Sequence, residues 1–193
     1  MKRILLLAAA MCCISLVSCD NEPDFSDLSP LEWEILELDN LIASQSGFDE
    51  EALIADLTRG TMKISSWYQY RDGKISMYSI DGMHLVAATT VFFDDGTCWD
   101  CFISWSSNAI HNLFTWCYNH STRSLITQDA DHCYDECSAK VLYYNTENHY
   151  LIIEGNISNL LSPQDKIEKV RMSGYIDVDP AERERIIEKY CNE

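Results

Sequence analysis

The sequence predicts a mainly β protein, an antiparallel strand meander that closes into a barrel, with short helices before it and one helix after it. Three observations lead to this fold class. Apolar residues follow helical spacing up to Gly60 and then alternate with polar residues, which is the period of a strand. Turn sequences such as Arg71-Asp72-Gly73 and Asp94-Asp95-Gly96 separate many of the alternating stretches. Because tight turns join neighbouring strands, these strands are expected to pair antiparallel.

Two helices are expected before the barrel and one after it. Ser29-Pro30-Leu31-Glu32 has the spacing of a capping box, in which Ser29 is the N-cap and Glu32 reaches back to it. A second helix fits Phe48 to Arg59, and Gly60 follows as its C-cap. Asp179-Pro180 begins the last helix, which runs through Tyr190.

Nine stretches rich in β-branched and aromatic residues are predicted to be strands. They cover residues 62–70, 74–80, 83–93, 97–105, 112–118, 123–127, 138–144, 150–154 and 169–178. The barrel then occupies about residues 60–178 of a single domain that spans residues 29–193. We find no internal repeat in the sequence and no linker long enough to separate a second domain.

The first residues have the parts of an export signal. Lys2 and Arg3 precede an apolar run that ends by Val17, too short for a transmembrane helix of about 20 residues. The sequence Leu16-Val17-Ser18-Cys19 resembles the lipobox of bacterial lipoproteins. This resemblance implies that residues 1–18 are removed as a signal peptide. It also implies that Cys19 carries acyl chains such as palmitate, and residues 19–28 then form an acidic tether.

Charge and motifs narrow the possible functions. The net charge of −17 disfavours nucleic acid as a partner, because binding to phosphate depends on Lys and Arg. No H-E-x-x-H or G-x-S-x-G motif is present, so the sequence predicts no enzyme and no cofactor. The acidic residues behind Cys19 resemble the surface-export signal of Bacteroidota lipoproteins. This resemblance implies a lipid anchor in the outer membrane of the cell envelope, with the cell surface as one possible side. In enteric bacteria an Asp directly after the lipid cysteine, as Asp20 is here, implies retention in the inner membrane instead, so the membrane depends on the host.

Three stretches of the chain resemble the lipocalin-like domains of Bacteroidota lipoproteins. They are Gly60 to Ile64, "VFFDDGT" from Val91 to Thr97, and "AKVLYYNTENHYLIIEG" from Ala139 to Gly155. The resemblance covers about residues 58–178 and implies a lipocalin-like barrel. It implies architecture more than chemistry, since most members of that family have no known activity.

Tryptophans are the candidates for lining a ligand site. Trp67, Trp99, Trp105 and Trp116 lie in predicted strands, where they would line a barrel mouth for an apolar or sugar ligand. The alternative is that they fill the core of a small barrel. The predicted function is a membrane-anchored, non-enzymatic binding module for such a ligand or for an envelope protein.

A structural or assembly lipoprotein that acts through protein–protein contacts is the alternative function. This hypothesis rests on apolar residues outside the barrel, on the first and last helices. These residues are Trp33, Leu36, Leu41, Ile186 and Ile187.

The cysteines of the mature chain are expected to form disulfides, because the protein is exported. Cys133 and Cys137 are predicted to bond within one loop, and Cys98 or Cys101 to bond Cys117 on the following strand. Residues i and i+3 point to opposite faces of a strand, so only one of Cys98 and Cys101 can meet Cys117. The other is then free.

Two other arrangements of the cysteines stay open. The remaining cysteine of the Cys98 and Cys101 pair bonds Cys191 if the last helix folds back onto the barrel. Alternatively, Cys98, Cys101, Cys133 and Cys137 hold a zinc ion with His132 nearby. Disulfides are preferred, because the cysteine pairs are too far apart in sequence for a usual zinc ribbon, and no metal site is predicted.

Overall fold

The computed structural model describes residues 28–71, 74–77, 85–104, 109–129, 137–156 and 169–191. The chain divides into two compact units, residues 1–35 and residues 36–193. Only residues 28–35 of the first unit are described, and they contain the beginning of the first helix. The barrel and its other helices belong to the second unit. Cys19, Trp105, His132 and Cys133 lie outside the described residues.

Three helices are present in the described residues, α1 (Pro30–Ser44), α2 (Glu50–Arg59) and α3 (Pro180–Tyr190). The predicted capping box begins α1, where the Glu32 carboxylate accepts hydrogen bonds from the backbone N–H and the hydroxyl of Ser29, both at 2.7 Å. Asp49 and Asp179 are the N-caps of α2 and α3. All three predicted helices are confirmed, and α2 begins at Glu50 because Asp49 caps it.

Nine strands pair antiparallel in a single sheet within the described residues. They are β1 (Thr61–Arg71), β2 (Lys74–Met77), β3 (Leu85–Phe92), β4 (Thr97–Ser104), β5 (Ala109–Asn119), β6 (Ser124–Asp129), β7 (Cys137–Tyr144), β8 (Tyr150–Asn156) and β9 (Lys169–Asp177). The predicted antiparallel meander is therefore confirmed, strand by strand.

Strand β1 closes the sheet into a barrel. The strands follow the order β1, β3 and onward to β9, and β9 pairs with β1 from Thr61↔Asp177 to Tyr70↔Lys169. The other edge of β1 is shared, because β3 pairs with its first half and β2 with its last four residues. The barrel thus has eight strands, and β2 is a short ninth strand beside them.

The two ends of the barrel differ. The tight turns β3–β4, β5–β6 and β7–β8 lie at one end, and α2 lies there too, since Gly60 alone separates it from β1. We call this end the capped end. We call the opposite end the mouth; β4, β6 and β8 end there and β5, β7 and β9 begin there. A Cβ atom on Gly60 would lie 2.7 Å from the Asp177 carbonyl oxygen, so the junction of α2 and β1 needs glycine.

The barrel interior holds the main core. Side chains from all eight barrel strands meet in one buried cluster, which identifies the inner face of each strand. Leu53 and Leu57 of α2 belong to the same cluster and are completely buried, so α2 plugs the capped end. The strand residues of this interior cluster are Met62, Ile64, Trp67, Phe92, Cys98, Leu125, Val141, Tyr144, Leu151, Ile153, Val170, Met172 and Ile176, with Phe114, Trp116 and Tyr118 at its border.

Helix α3 covers the outside of β3 and β4. Its Ile186 and Tyr190 are buried against Val91 and Cys101, and Ile187 is partly buried beside them. The Arg183 guanidinium fixes this position, since it donates hydrogen bonds to the backbone oxygens of Gly60 and Phe92. The assembly hypothesis counted Ile186 and Ile187 as free apolar surface, and the structure corrects this because both pack on their own barrel.

No helix among the described ranges combines the length and the apolar character that crossing a membrane requires.

Candidate functional site

A carboxylate stands inside the barrel. Asp100 is two residues from Cys98, which belongs to the interior cluster, so both side chains point inward from β4. Thr90 of β3 and Asn112 of β5 lie directly opposite Asp100 on its two neighbouring strands. The Thr90 hydroxyl donates a hydrogen bond of 2.6 Å to Asp100 Oδ1. An ionisable group therefore sits midway along the inner face of β4, between two polar residues of the neighbouring strands.

Burial raises the pKa of Asp100 to about 6, although the hydrogen bond from Thr90 acts in the opposite direction. At neutral pH the side chain is therefore mainly ionised. The basic side chains described on β1 and β9 pair with other carboxylates. Lys63 bonds Asp177 and Glu182 on the outer face of the barrel, at 2.8 and 3.0 Å. Arg171 pairs with Asp39 and Glu154, also on the outer face.

A second polar group on the inner wall is the amide of Gln69. It is 6% exposed and lies opposite Val170, an interior residue, so it also faces inward. Its Nε2 atom has no hydrogen-bond partner among the residues that the structure describes. An unsatisfied buried donor costs about 1–3 kcal/mol, so this nitrogen is a position where a ligand oxygen or a water would be stabilising.

The inner wall reaches solvent beside Asp100. Asn112 faces inward, because it lies opposite Asp100, and yet it is exposed. Thr90, Asp100 and Asn112 therefore form the candidate site. Gln69 is a separate polar position on the inner wall, because the strand pairing places Met62 level with Thr90, seven residues before Gln69.

The predicted tryptophans divide between two faces of the barrel. Trp67 and Trp116 face the interior. Trp116 lies near the capped end, where its Nε1 donates to the Phe93 carbonyl oxygen at 2.9 Å. Trp99 packs on the outer face under α3, because it is one residue away from the inward-facing Cys98. A ligand-lining role for Trp99 is therefore wrong, Trp67 stays a prediction, and Trp105 lies outside the described residues.

The predicted bond between Cys117 and β4 is also wrong. Cys98 lies opposite Phe114, and Cys101 lies opposite His111. Cys117 comes three residues after the partner of Cys98, so it faces neither cysteine, and all three thiols are free. The expectation that Cys98 and Cys101 lie on opposite faces is confirmed, because Cys98 is inside the barrel and Cys101 is under α3.

Cys101 meets Cys191 on the outer face. A hydrogen bond between the two sulfur groups raises the pKa of Cys101 and lowers the pKa of Cys191, and the charge of Arg183 lowers the latter further. Since Cys98 and Cys101 are on opposite faces, they cannot share a zinc ion. Within the described ranges, no three His, Cys, Asp or Glu side chains are placed to hold a metal. The Cys133–Cys137 bond stays a prediction.

A polar cluster at the capped end escaped the sequence analysis. Asp56 of α2 is 3% exposed, accepts a hydrogen bond from the Tyr144 hydroxyl, and lies 2.8 Å from His149 Nδ1. Arg59, one turn further on α2, pairs with the same carboxylate. Burial, followed by the bond to Asp56, raises the pKa of Tyr144. The cluster fastens the plug to the β7–β8 turn.

The other end of α2 is fastened in the same way. Glu50 pairs with Arg123 Nε at 3.1 Å and His120 Nδ1 at 2.9 Å, both in the β5–β6 turn. The sequence signal for the Asp56 cluster was available, because Asp56 interrupts the apolar face that Leu53 and Leu57 define. It was not distinctive in a chain with 31 acidic residues.

Comparison with known proteins adds little beyond the fold. No family model matches the sequence, and no curated protein matches it. Among solved structures, apocrustacyanin C2 is similar, with 10% sequence identity, a TM-score of 0.40, and a match that covers 80% of this chain and 79% of that chain. The strand pairing itself gives the architecture. An eight-stranded up-and-down antiparallel barrel with flanking helices is a lipocalin-like fold, as predicted.

Proposed function

We propose that this protein is a non-enzymatic binding module that holds a small ligand inside its barrel and is tethered to the cell envelope through Cys19. The observation that carries the proposal is the inner wall, where Asp100 and the Gln69 amide have unused bonding capacity. Buried polar groups that serve only a core are normally satisfied. The interior of an eight-stranded barrel is either filled by side chains or holds one small ligand, and polar groups with unused bonding capacity favour the second.

Binding rather than catalysis fits the chemistry of this wall. Cys98 shares the inner face of β4 with Asp100, and burial together with the charge of Asp100 raises the pKa of its thiol. A thiol must lose its proton to become a nucleophile, so Cys98 is a poor candidate for covalent chemistry. The Thr90 hydroxyl donates its hydrogen to Asp100, so it is engaged in that hydrogen bond.

Fluorescence of the interior tryptophans tests ligand binding. The full chain, purified in lipid nanodiscs, is titrated with a panel of apolar, sugar and amine compounds. We expect at least one class to give a saturable change, because Trp67 and Trp116 line the interior. The change should be reduced in Trp67→Phe and kept in Trp99→Phe, since Trp99 lies outside. A panel that moves neither fluorescence nor thermal stability would argue against a ligand site.

The anchor is part of the proposal and has its own test. The lipobox supports acylation of Cys19, and two or more acyl chains are needed for stable anchoring. Cells that express the protein are labelled with palmitate and fractionated. The natural chain should carry label and sediment with the outer membrane, whereas Cys19→Ala should carry none. Label that persists in Cys19→Ala would place the lipid on another residue and refute Cys19 as the anchor.

A further inference from the structure

We propose that Cys101 and Cys191 are a redox pair that closes into a disulfide, and that this bond fixes the last turn of α3 to β4. The pair lies on the outer face of the barrel, so the proposal does not depend on a ligand inside it. Three observations carry it: the cluster that both residues join under α3, their unequal exposure, and the position of the other attachments of α3.

The first observation is the packing of α3 on β4. Cys101 is 1% exposed and belongs to the buried cluster that Ile186 and Tyr190 of α3 form with β3 and β4. Cys191 is the C-cap of α3, and its backbone N–H donates to the Ile187 carbonyl oxygen at 2.9 Å. Its side chain packs against the same cluster, and a hydrogen bond joins the two sulfur groups. The fold therefore brings together two free thiols that are far apart in the sequence.

The second observation is the unequal exposure of the two thiols. Cys191 is partly exposed, whereas Cys101 is buried, so an oxidant in solvent reaches Cys191. The thiolate is the reactive form, and the hydrogen bond with Cys101 and the charge of Arg183 lower the pKa of Cys191. The same hydrogen bond and burial raise the pKa of Cys101. We therefore expect Cys191 to react first, and Cys101 to react only with Cys191.

The reaction needs an oxidant, which is the disulfide of a small molecule or of a thiol-oxidising protein. The Cys191 thiolate attacks one sulfur of that disulfide, forms a mixed disulfide and releases the other sulfur as a thiolate. Cys101 gives its proton to the released thiolate and attacks the Cys191 sulfur, which expels the second thiolate of the oxidant. The two cysteines together lose two electrons and two protons, and the oxidant takes them up as two thiols.

The third observation is that the polar attachments of α3 to the barrel lie near its beginning. Arg183 donates to the backbone oxygens of Gly60 and Phe92, and Glu182 pairs with Lys63 at 3.0 Å. A disulfide at Cys191 would add a covalent attachment at the opposite end of the helix. Oxidation should therefore suppress the local opening of the last turn of α3.

Oxidised glutathione tests the pair and the order of its reactions. The full chain in nanodiscs is reduced, treated with oxidised glutathione and mapped by mass spectrometry of its peptides. We expect Cys101 and Cys191 to be linked to each other and to retain no glutathione. In Cys101→Ala, Cys191 should retain glutathione as a mixed disulfide, whereas in Cys191→Ala the buried Cys101 should stay unmodified.

Cys117 is the matched control within the same chain. It is exposed on β5 and lies opposite Ile126 rather than a cysteine, so it should retain glutathione in the natural chain and in both variants.

Hydrogen exchange tests the effect of the bond on α3. Amides in the last turn of α3 should exchange about tenfold more slowly, or slower still, in the linked chain than in the reduced chain. Cys191→Ala should show no such difference after the same treatment.

Other outcomes overturn the inference. Glutathione retained on Cys191 of the natural chain, with Cys101 unlinked, would refute the pair. Glutathione on Cys101 of Cys191→Ala would refute the order of the two reactions. A link that leaves the exchange of α3 unchanged would refute the attachment of the helix.

Discussion

Replacing Tyr144 with Phe removes one hydroxyl from the cluster that fastens α2 to the barrel. That hydroxyl donates to Asp56, whose side chain is only 5% exposed. The aromatic ring stays in place, since it is 1% exposed and packs edge-on against Phe48 with centroids 6.4 Å apart. The substitution therefore tests the hydrogen bond to a buried carboxylate, together with a long contact of 3.4 Å between the same hydroxyl and His149 Nδ1, with little change in packing.

The expected loss follows from the partners that Asp56 keeps. Hydrogen bonds to charged groups contribute about 1.5–3 kcal/mol to stability. Asp56 retains His149 Nδ1 at 2.8 Å and the guanidinium of Arg59, so its charge is not left alone. We expect the free energy of unfolding to fall by about 2 kcal/mol, which for a domain of this size lowers Tm by about 4–8 °C.

Urea unfolding of the full chain, followed by circular dichroism, measures the difference. Tyr143→Phe is the matched control, because it removes a hydroxyl from the adjacent residue of β7. That hydroxyl accepts only a long bond of 3.4 Å from Asn145 Nδ2, so its loss should cost less than about 0.5 kcal/mol. If Tyr144→Phe is as stable as the control, the Asp56 cluster does not hold the plug.

Three further outcomes are expected. The pKa of Asp100 is raised from 3.8 to about 6, so the folded state binds more protons than the unfolded chain across that window, and stability is lost as pH rises through it. Asp100→Asn should therefore be more stable than the natural protein by about 3 kcal/mol at pH 7 and equal at pH 3, as compared by urea midpoints; a gain independent of pH would contradict this. Gly174→Ala should unfold at least about 10 °C lower in a thermal melt, because its Cβ would lie 2.1 Å from the Lys63 carbonyl oxygen; an unchanged Tm would show that β1 and β9 can separate there. A small-molecule disulfide oxidant should link Cys101 to Cys191 with loss of two thiol hydrogens, which peptide mapping by mass spectrometry detects; two unlinked thiols after treatment would mean that their contact cannot close.

The strands and helices could be predicted because their signals are local. Alternation, turn sequences and capping residues act within a few positions, and each of the nine strand predictions corresponds to an observed strand. Differences occur at the ends of strands. The fifth strand begins at Ala109, before the predicted residue 112, because pairing with β4 extends it.

Pairing across strands could not be predicted in the same way. The sequence places Cys117 on the strand after Cys98, but the register decides which residue it faces, and register depends on the whole connection between β4 and β5. The structure sets Cys98 opposite Phe114, an offset that leaves Cys117 unopposed by either cysteine.

The sequence predicted in part which side chains point into the barrel and which point outward. The alternation rule put Cys98 and Cys101 on opposite faces, which is observed. The same rule puts Asp100 on the face of Cys98 and Trp99 on the other, so the interior carboxylate could have been found by extending it two residues. The burial of Asp56 could not be predicted from the sequence, because it depends on where α2 meets the β7–β8 turn.

Helix α2 closes one end of the barrel, so a molecule cannot pass through the barrel from end to end. Leu53 and Leu57 fill the base, and contacts of Glu50 with Arg123 and of Asp56 with His149 hold both ends of the helix to separate turns. A ligand held inside the barrel, as proposed above, could then not leave through the end that α2 closes. One ligand must dissociate before another can bind, so the rate of exchange is set by the dissociation of the first ligand and does not rise with the concentration of the second.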